Sequence, residues 1–570
     1  METIPSHKQL GIMLASVDYS QHTMNKGLKI FRERGVDAVL KEMKQLDYMD
    51  VCEPVAPEDM STQERKRALR YLMFLKEKRD GKIKGRGCVD GRPQREYTAK
   101  EESTAPTVSI EAFMITCMVD ALEGRDVATV DIPGAFMQTE QDELVHVKLE
   151  GIMVDLLLKV APGKYDKEVR YHGNKPYLYT RLKKALYGQL KAALLFWKNL
   201  SGKLKSWGFE INDYDWCVAN KTINGKQCTI VWHVDDLKIS HVDPEVVSLI
   251  IGHLSKEYGK HSELSVTRGK IHEYLGMTID YRKEGNVRIS MFKYMQELLS
   301  DLPDDLDGMA VTPAAEHLFK VNETDPTKLS DDLSDFFHTN VAKLLFLCKR
   351  ARPDIQTAVS FLCTRVQSPD TDDYKKLGRV MKYLRRTIAM PLTLKANNMS
   401  IIKWWVDASF AVHKDMRSHT GQVMSLGRGA GYASSGKQKI NTTSSTEAEL
   451  VGMADALRQV LWTRYFIEAQ GYDVKDNVVF RDNQASMRLE RNGRGSSTKR
   501  TRHIEIRYFF VTDRIEKNDL SVIYCPTEEM TADYLTKALQ GKLFKKFRDE
   551  IMNCEEYDAG YIDSLSTAAA

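Results

Sequence analysis

The sequence predicts an α+β multidomain fold, and three observations carry that expectation. Its 570 residues are too many for one compact core and divide into about three or four units at roughly 100–200 residues per domain. Helical and strand periodicities alternate through the first 300 residues and again from residue 399 onward. Between those stretches runs a block of helical period alone, rich in Lys and Arg.

The elements follow in order. In the N-terminal block, 1–104, QERKRALRYLMFLKEKRDG sets a basic, partly apolar helix ending before Gly81, and KIKGRGCVDGRPQREY reads as short extended pieces broken by glycine. Over 105–300 come an apolar helix (IEAFMITCMVDAL), a strand (VATVDI), a long helix (LKAALLFWKNLSGKLKSWG) and a strand pair (TIVWHVDDLKIS). Over 301–398, VAKLLFLCKRARPDIQTAVSFLCTRV and YKKLGRVMKYLRRT form a helical, basic connector, with DLPDDLDGMAVTPAAE as a loop. Strands return over 399–540 (IIKWWVDASF, GQVMSLG, NVVFRDN, LSVIYCP), interrupted by a strong helix beginning near TTSSTEAELVGMADAL, and 541–570 reads as a C-terminal tail.

Composition excludes several classes. The 83 basic and 79 acidic residues leave a net charge of only +4, so the chain is no polycation, and any nucleic-acid footprint must be a local basic groove. No window approaches the roughly 18 apolar residues of a membrane span, and METIPSHKQL lacks the profile of a secretory signal, so the expectation is a cytosolic or nuclear chain. Cysteines from Cys52 to Cys554 form no CxxC pair and no zinc-spaced cluster, which predicts reduced, mostly buried thiols.

Asp-Asp pairs begin at 235, 304, 331 and 372, so the dipeptide alone says little, but only Asp235 and Asp236 interrupt an apolar, strand-like run. Adjacent carboxylates beside Val231, Trp232 and Val234 repel and lose hydration, a cost that cations or donors must offset. A divalent metal is the simplest compensation; a hairpin turn with Asp at its tip is the plainer alternative. In VATVDIPGAF, Asp131 likewise ends a β-branched run and is followed by a turn and Phe136. Nucleotide-joining polymerases need two divalent ions about 3.5–4 Å apart, held by carboxylates from separate strands. Asp131 and Asp235 are a pair able to bridge them.

With these residues the chain resembles the reverse transcriptase of copia-type long-terminal-repeat retrotransposons. VATVDIPGAF is similar to the first catalytic motif, LKKALYGQLKAALLFW to the Leu-Tyr-Gly segment under the incoming nucleotide, and WHVDDLKIS to the Val-Asp-Asp hairpin. EYLGMTID resembles the strand leading to the thumb, and LGRVMKYLRRT the basic helix of the connection; the ordered matches run from about residue 25 to 540. The resemblance implies a right-hand polymerase of fingers, palm and thumb, with Asp131, Asp235 and Asp236 as metal-binding catalytic carboxylates and Asp131 and Asp235 as direct ligands. It places Phe136 as a steric gate against a ribose 2′ hydroxyl, and Tyr187 and Gly188 in the nucleotide pocket, where glycine permits close backbone approach. Lys84 and Arg86 are then either triphosphate clasps or a solvated basic face. Two departures stand out: His233 replaces the usual aromatic before Val-Asp-Asp, and the usual proline after Leu-Tyr-Gly gives way to Ala193 or its neighbours.

A second acidic constellation follows. Asp407 lies on the strand IIKWWVDAS, and SSTEAELVGMADALRQVLW begins a helix whose buried stripe is Leu450, Met453, Ala454, Leu457 and Leu461. Glu449 lies beside that stripe and reads as a ligand, whereas Glu447 sits at the cap, where an acid suits the helix dipole. Asp482 ends the strand in VVFRDNQAS, and Asp533 opens a helix in MTADYLTK. Carboxylates in the order Asp, Glu, Asp, Asp resemble ribonuclease H, which implies an α/β ribonuclease H-like domain, and SSTEAEL, RDNQAS and TRHIEIRYFF are similar to the copia-type signatures. His503 is then either a phosphate-binding or product-releasing residue or a structural one. Lys499, Arg500, Arg502 and Arg507 suit hybrid phosphates or a solvated loop equally.

The resulting expectation is an RNA-directed DNA polymerase with ribonuclease H activity. It would use two Mg2+ ions per site, with Mn2+ as the alternative, on an RNA template, a DNA or tRNA primer, dNTPs and RNA–DNA hybrid. Without a protease Asp-Ser/Thr-Gly motif, zinc knuckle or integrase block, the chain reads as part of a larger polyprotein, acting beside other element products in a cytoplasmic virus-like particle or the nucleus. The rival is a degenerate or domesticated element protein that binds RNA or hybrid without catalysis; acids at all seven positions argue against such decay. A third reading, a nuclease with a structural N-terminal half, predicts that Asp235→Asn leaves all activity intact.

Overall fold

The computed structural model describes residues 21–77, 81–322, 327–493 and 505–553, which form four sheets and the helices laid on them. The first sheet has Gln21–Thr23, Leu69–Glu77, His146–Glu150, Lys175–Leu182 and Cys52–Val55 in spatial order, with Ile83–Val89 added to Leu69–Glu77 and Arg170–His172 to Lys175–Leu182. Its existence corrects the helix expected before Gly81. Only Thr62–Arg67 is helical there, closed at its start by a Ser61–Glu64 capping box. Beyond it, Leu69, Tyr71, Met73 and Leu75 are buried at every second position, and the strand they form pairs with Ile83–Val89. The run of apolar residues fits periods of both 2 and 3.6, and strand pairing decided between them.

The helix Met24–Tyr48 lies directly on the Ile83–Val89 strand. A Cβ at Gly85 would come within 2.7 Å of the Ala38 carbonyl oxygen, so glycine is what lets helix and strand touch. Glu42 of that helix accepts a hydrogen bond from the Gly87 N–H at 2.8 Å, and the intervening Lys84 and Arg86 are left exposed.

The second sheet is antiparallel throughout, in the order Ser265–Arg268, Asp126–Asp131, Asp236–His241, Lys226–His233, Asp215–Ile223 and Glu210–Asn212. It packs with the helices Ile110–Glu123, Ala192–Ser206 and Pro244–Tyr258 in a core containing Phe113, Phe196, Val247 and fully buried Trp232. The third sheet runs Ile271–Tyr274, Met277–Asp280, Val287–Ser290, Leu392–Ala396 and Gly427–Arg428. It crosses both expected boundaries, 300/301 and 398/399. The 301–398 block is therefore not helical alone: after the helices Asp331–Cys348, Gln356–Cys363 and Thr371–Arg386, its buried Leu392 and Leu394 complete a sheet begun earlier in the chain.

The fourth sheet runs Tyr432–Asn441, Arg417–Ser425, Ile401–Ser409, Asp476–Arg481 and Ser521–Tyr524. Ile401–Ser409, Asp476–Arg481 and Ser521–Tyr524 are parallel, and the helix Ser445–Ala469 falls between the first two of them in the chain. This sheet's helix meets the second sheet: Trp462 Nε1 donates to the Tyr214 carbonyl at 3.0 Å. Buried Arg125 bridges Thr229 Oγ1 at 2.9 Å and Tyr472 Oη at 3.1 Å.

Part of the expected tail belongs to the core. Gly541–Met552 is a helix whose Phe544, Phe547, Ile551 and Met552 are buried, with the Phe544 ring 5.4 Å from Tyr534 and 6.1 Å from Tyr383. The spacing of these residues at three and four positions is an amphipathic stripe. No described helix is long and apolar enough to cross a membrane. The eight described cysteines are all free, six of them buried. Phe547→Ala is expected to lower the thermal unfolding midpoint by several degrees, since removing a fully buried ring costs about 3–5 kcal/mol. Differential scanning calorimetry checks this, and an unchanged midpoint would show the helix to be dispensable.

Candidate functional site

Two acidic clusters emerge, each at the ends of buried strands. In the first, Val127, Ala128 and Val130 draw the Asp126–Asp131 strand into the core and leave Asp131 exposed at its end. Beside it, Lys226–His233 and Asp236–His241 form a hairpin whose turn is Val234–Asp235. Val234 has φ +59°, a left-handed conformation that costs a β-branched residue on the order of 1–3 kcal/mol. The surrounding structure holds it there. Asp131 stands opposite Asp236 in the ladder, the Ile132 N–H donates to the Asp235 carbonyl at 3.1 Å, and Tyr274 Oη donates to the Asp236 carbonyl at 3.0 Å.

The electrostatics show crowding. Burial, then the charges of Asp235 and Asp131, push the Asp236 carboxyl up to about 6. Asp235 is raised by burial and by Asp131, while Arg86 and Lys84 oppose the shift. The two exposed cations of the first sheet thus act on Asp235, in the turn of the second. Phe136 lies 4.7 Å from the Tyr187 ring, and the Arg86 guanidinium lies 5.9 Å from the centroid of that same Tyr187 ring. Burial and the nearby Asp235 push the Tyr187 phenol up.

Gly188 does make a close backbone approach. It has φ +92°, and a Cβ there would come within 2.0 Å of the Val89 carbonyl oxygen. The close approach it permits is to the chain's own Val89 backbone, which also donates to the Tyr187 carbonyl at 2.8 Å. His233 is half-buried, and burial, with Arg350 nearby, lowers its pKa.

The second cluster is tighter. Among the described residues, Asp407, Glu449 and Asp482 are the one set of three whose ligand atoms all lie within 4.8 Å of one another; Asp131, Asp235 and Asp236 do not close to that distance. Asp407 comes from the Ile401–Ser409 strand, Glu449 from the Ser445–Ala469 helix, and Asp482 from the residue after the Asp476–Arg481 strand. Burial holds Glu449 well above the usual carboxylate range despite Arg481, and burial with Asp407 raises Asp482. Asp533, in the turn Thr531–Leu535, stands outside the trio but feels Asp407; burial and that charge raise it, against Lys537, whose Nζ donates to it at 2.6 Å. Glu447 is engaged elsewhere, accepting from Thr443 N–H at 2.6 Å and Thr443 Oγ1 at 2.7 Å. The donor set is hard carboxylate oxygen without Cys or His, which fits Mg2+ or Mn2+ better than zinc.

Three supporting residues escaped the sequence reading. Fully buried Arg481 donates to both the carbonyl and Oε2 of Glu449 at 2.9 Å. Thr536 Oγ1 donates to Asp407 Oδ2, and Lys537 lies 3.8 Å from that carboxylate. Each lies within four residues of a singled-out acid, but only the fold shows which acid it serves. His503, Lys499, Arg500 and Arg502 lie outside the described residues, as does the side chain of Arg507.

Comparison with known proteins gives a family for part of the chain. Residues 59–310 match the family described as reverse transcriptase (RNA-dependent DNA polymerase). The retrovirus-related Pol polyprotein from transposon TNT 1-94 of Nicotiana tabacum is 25% identical over 492 residues, covering 84% of this chain and 35% of that protein. The corresponding polyprotein from transposon RE1 of Arabidopsis thaliana is 27% identical over 492 residues, covering 85% of this chain and 31% of that one. The chain therefore spans about a third of the length of these relatives. Among solved structures, a foamy viral protease-reverse transcriptase in complex with ds DNA aligns with a TM-score of 0.47 at 13% identity, over 86% of this chain and 82% of that chain.

The raised acids set a pH dependence. Asp236 keeps its proton up to about 6 when folded but releases it near its ordinary value when unfolded, so its contribution to metal-free stability falls as pH rises from about 4 to about 6. A cation must displace that proton, and its binding strengthens over the same interval. Thermal shift with Mn2+ is expected to show a larger stabilisation at pH 7.5 than at pH 5. A response of equal size at both would contradict the crowding of these carboxylates.

Proposed function

We propose, from the match of residues 59–310 to the reverse transcriptase family and the similarity to Pol polyproteins of plant retrotransposons, that the chain is a copia-type Pol polyprotein sequence acting as an RNA-directed DNA polymerase and carrying a ribonuclease H site. The second sheet serves as palm, the first as fingers, the third with its helices as thumb and connection, and the fourth as the ribonuclease H-like domain. The observation that carries this reading is the presence in one chain of two carboxylate clusters on separate sheets: Asp131 facing Asp236 beside a constrained turn, and Asp407, Glu449 and Asp482 within 4.8 Å of one another.

Each residue then has a task. Asp131, Asp235 and Asp236 hold the divalent ions of the first site, and Asp407, Glu449, Asp482 and Asp533 those of the second. When bound, paired Mg2+ or Mn2+ ions activate the attacking oxygen and neutralise the departing one. Arg86 and Lys84 bind the triphosphate of the incoming dNTP, and their pull on Asp235 supports that placement. Phe136, braced by Tyr187, forms a floor that leaves no room for a 2′ hydroxyl. Arg481 and Thr536 fix the oxygens of Glu449 and Asp407, while Lys537 offsets the charge of Asp533. Template RNA, a DNA or tRNA primer and the hybrid product are the partners this chemistry requires.

Primer extension on RNA and cleavage of a labelled hybrid test the two sites separately. Asp235→Asn is expected to lower extension by about 100-fold or more while hybrid cleavage persists, and Asp407→Asn to do the reverse. A wild-type protein that binds hybrid but performs neither reaction would overturn the proposal in favour of a non-catalytic binder.

A further inference from the structure

Two arginines in one short segment behave differently. Arg352 is fully buried and satisfied: its guanidinium meets Asp354 through two hydrogen bonds, at 2.9 and 2.7 Å, and reaches the Thr387 carbonyl at 3.0 Å. Arg350 is half-buried and has no such partner. Its guanidinium lies 3.6 Å over the Phe346 ring, Nη1 donates to the Phe346 carbonyl at 3.2 Å, and its buried Nε has no hydrogen-bond partner. No carboxylate among the described residues forms an ion pair with it. Burial lowers its pKa to about 10, and the groups that oppose the shift are Tyr294 and Cys348 rather than an acid. Desolvating a guanidinium without an anion is costly, so the arrangement has a vacancy in charge rather than in volume.

Its position suggests what fills it. Arg350 and exposed Lys349 line a cleft with Ile110 and Met114 of the helix preceding the Asp131 strand, and with Ala430 and Tyr432 at the start of the fourth sheet. His233, which precedes the Val234–Asp235 turn, feels the Arg350 charge. Glu111 lines the same cleft. The cleft thus lies where a helix packed on the second sheet meets the fourth sheet, the two sheets that carry the carboxylate clusters.

We propose that Arg350, seated on Phe346 in the cleft where elements of the second and fourth sheets meet, binds a backbone phosphate of the RNA–DNA hybrid. The inference rests on the polymerase and nuclease reading, and binding without catalysis separates the two. Full-length protein would be titrated against a labelled hybrid in Ca2+ from about 50 to 200 mM salt. Arg350→Met is expected to weaken binding and reduce the slope of log affinity against log salt by about 0.9, the share of one phosphate contact. Arg350→Lys is expected to retain the slope while losing affinity several-fold, because a point charge replaces the planar fork. The KM for dNTP should stay unchanged in Arg350→Lys, which distinguishes hybrid phosphate from the nucleotide triphosphate. A wild-type slope in folded Arg350→Met, or, should that variant not fold, wild-type affinity in Arg350→Lys, would overturn the assignment. A wild-type chain with no salt-dependent hybrid binding would instead overturn the function proposed above.

Discussion

Like charges gathered at the ends of buried strands are the constraint on which the rest of this structure depends. The acid-bearing strands are drawn inward by apolar residues, Val130 beside Asp131, Trp232 before Asp235, Val406 before Asp407, so burying the strand fixes where its carboxylate stands, exposed at Asp131 and buried at Asp407. The carboxylates resist, and raised pKa values at Asp235, Asp236, Glu449 and Asp482 record that resistance. The fold offsets it with cations held nearby: Lys84 and Arg86 at the first cluster, Arg481 and Lys537 at the second. Hydrophobic burial supplies the driving force, and electrostatics determines what can be bound at the end of it.

The supports differ between the clusters. At the first, a turn strained at Val234 is held by a backbone bond from Ile132 and by Tyr274, and the opposing cations come from another sheet. At the second, side chains close to the acids in sequence, Arg481, Thr536 and Lys537, fix the oxygens directly. The sheets that carry the two clusters are themselves tied through Arg125–Tyr472 and Trp462–Tyr214. These bonds join the sheet that carries the first cluster to the elements that carry the second.

Much of this was legible in the sequence because the carboxylates interrupt strong local patterns. TIVWHVDDLKIS and IIKWWVDAS announce buried strands ending in acids, and the helix containing Glu449 has its own cap and stripe. What escaped was non-local. LRYLMFLKE fits both periods until its partner strand is known, Leu392–Ala396 becomes a strand only by joining residues about 100 positions earlier, and Phe544 is core because Tyr534 of the Thr531–Leu535 turn and Tyr383 are there to receive it. Gly188 likewise announced a close approach without saying to what. The distinction between Arg350 and Arg352, two residues apart, is invisible in KRARPD and plain once Asp354 is seen to serve only one of them.

The central claim is that both clusters are cradles for divalent cations, and anomalous diffraction from crystals grown with Mn2+ tests it most directly. The account predicts anomalous peaks within coordination distance of Asp131 and Asp235, and of Asp407, Glu449 and Asp482. Saturating Mn2+ with no peak at either cluster, or with peaks only on the outer surface, would contradict it.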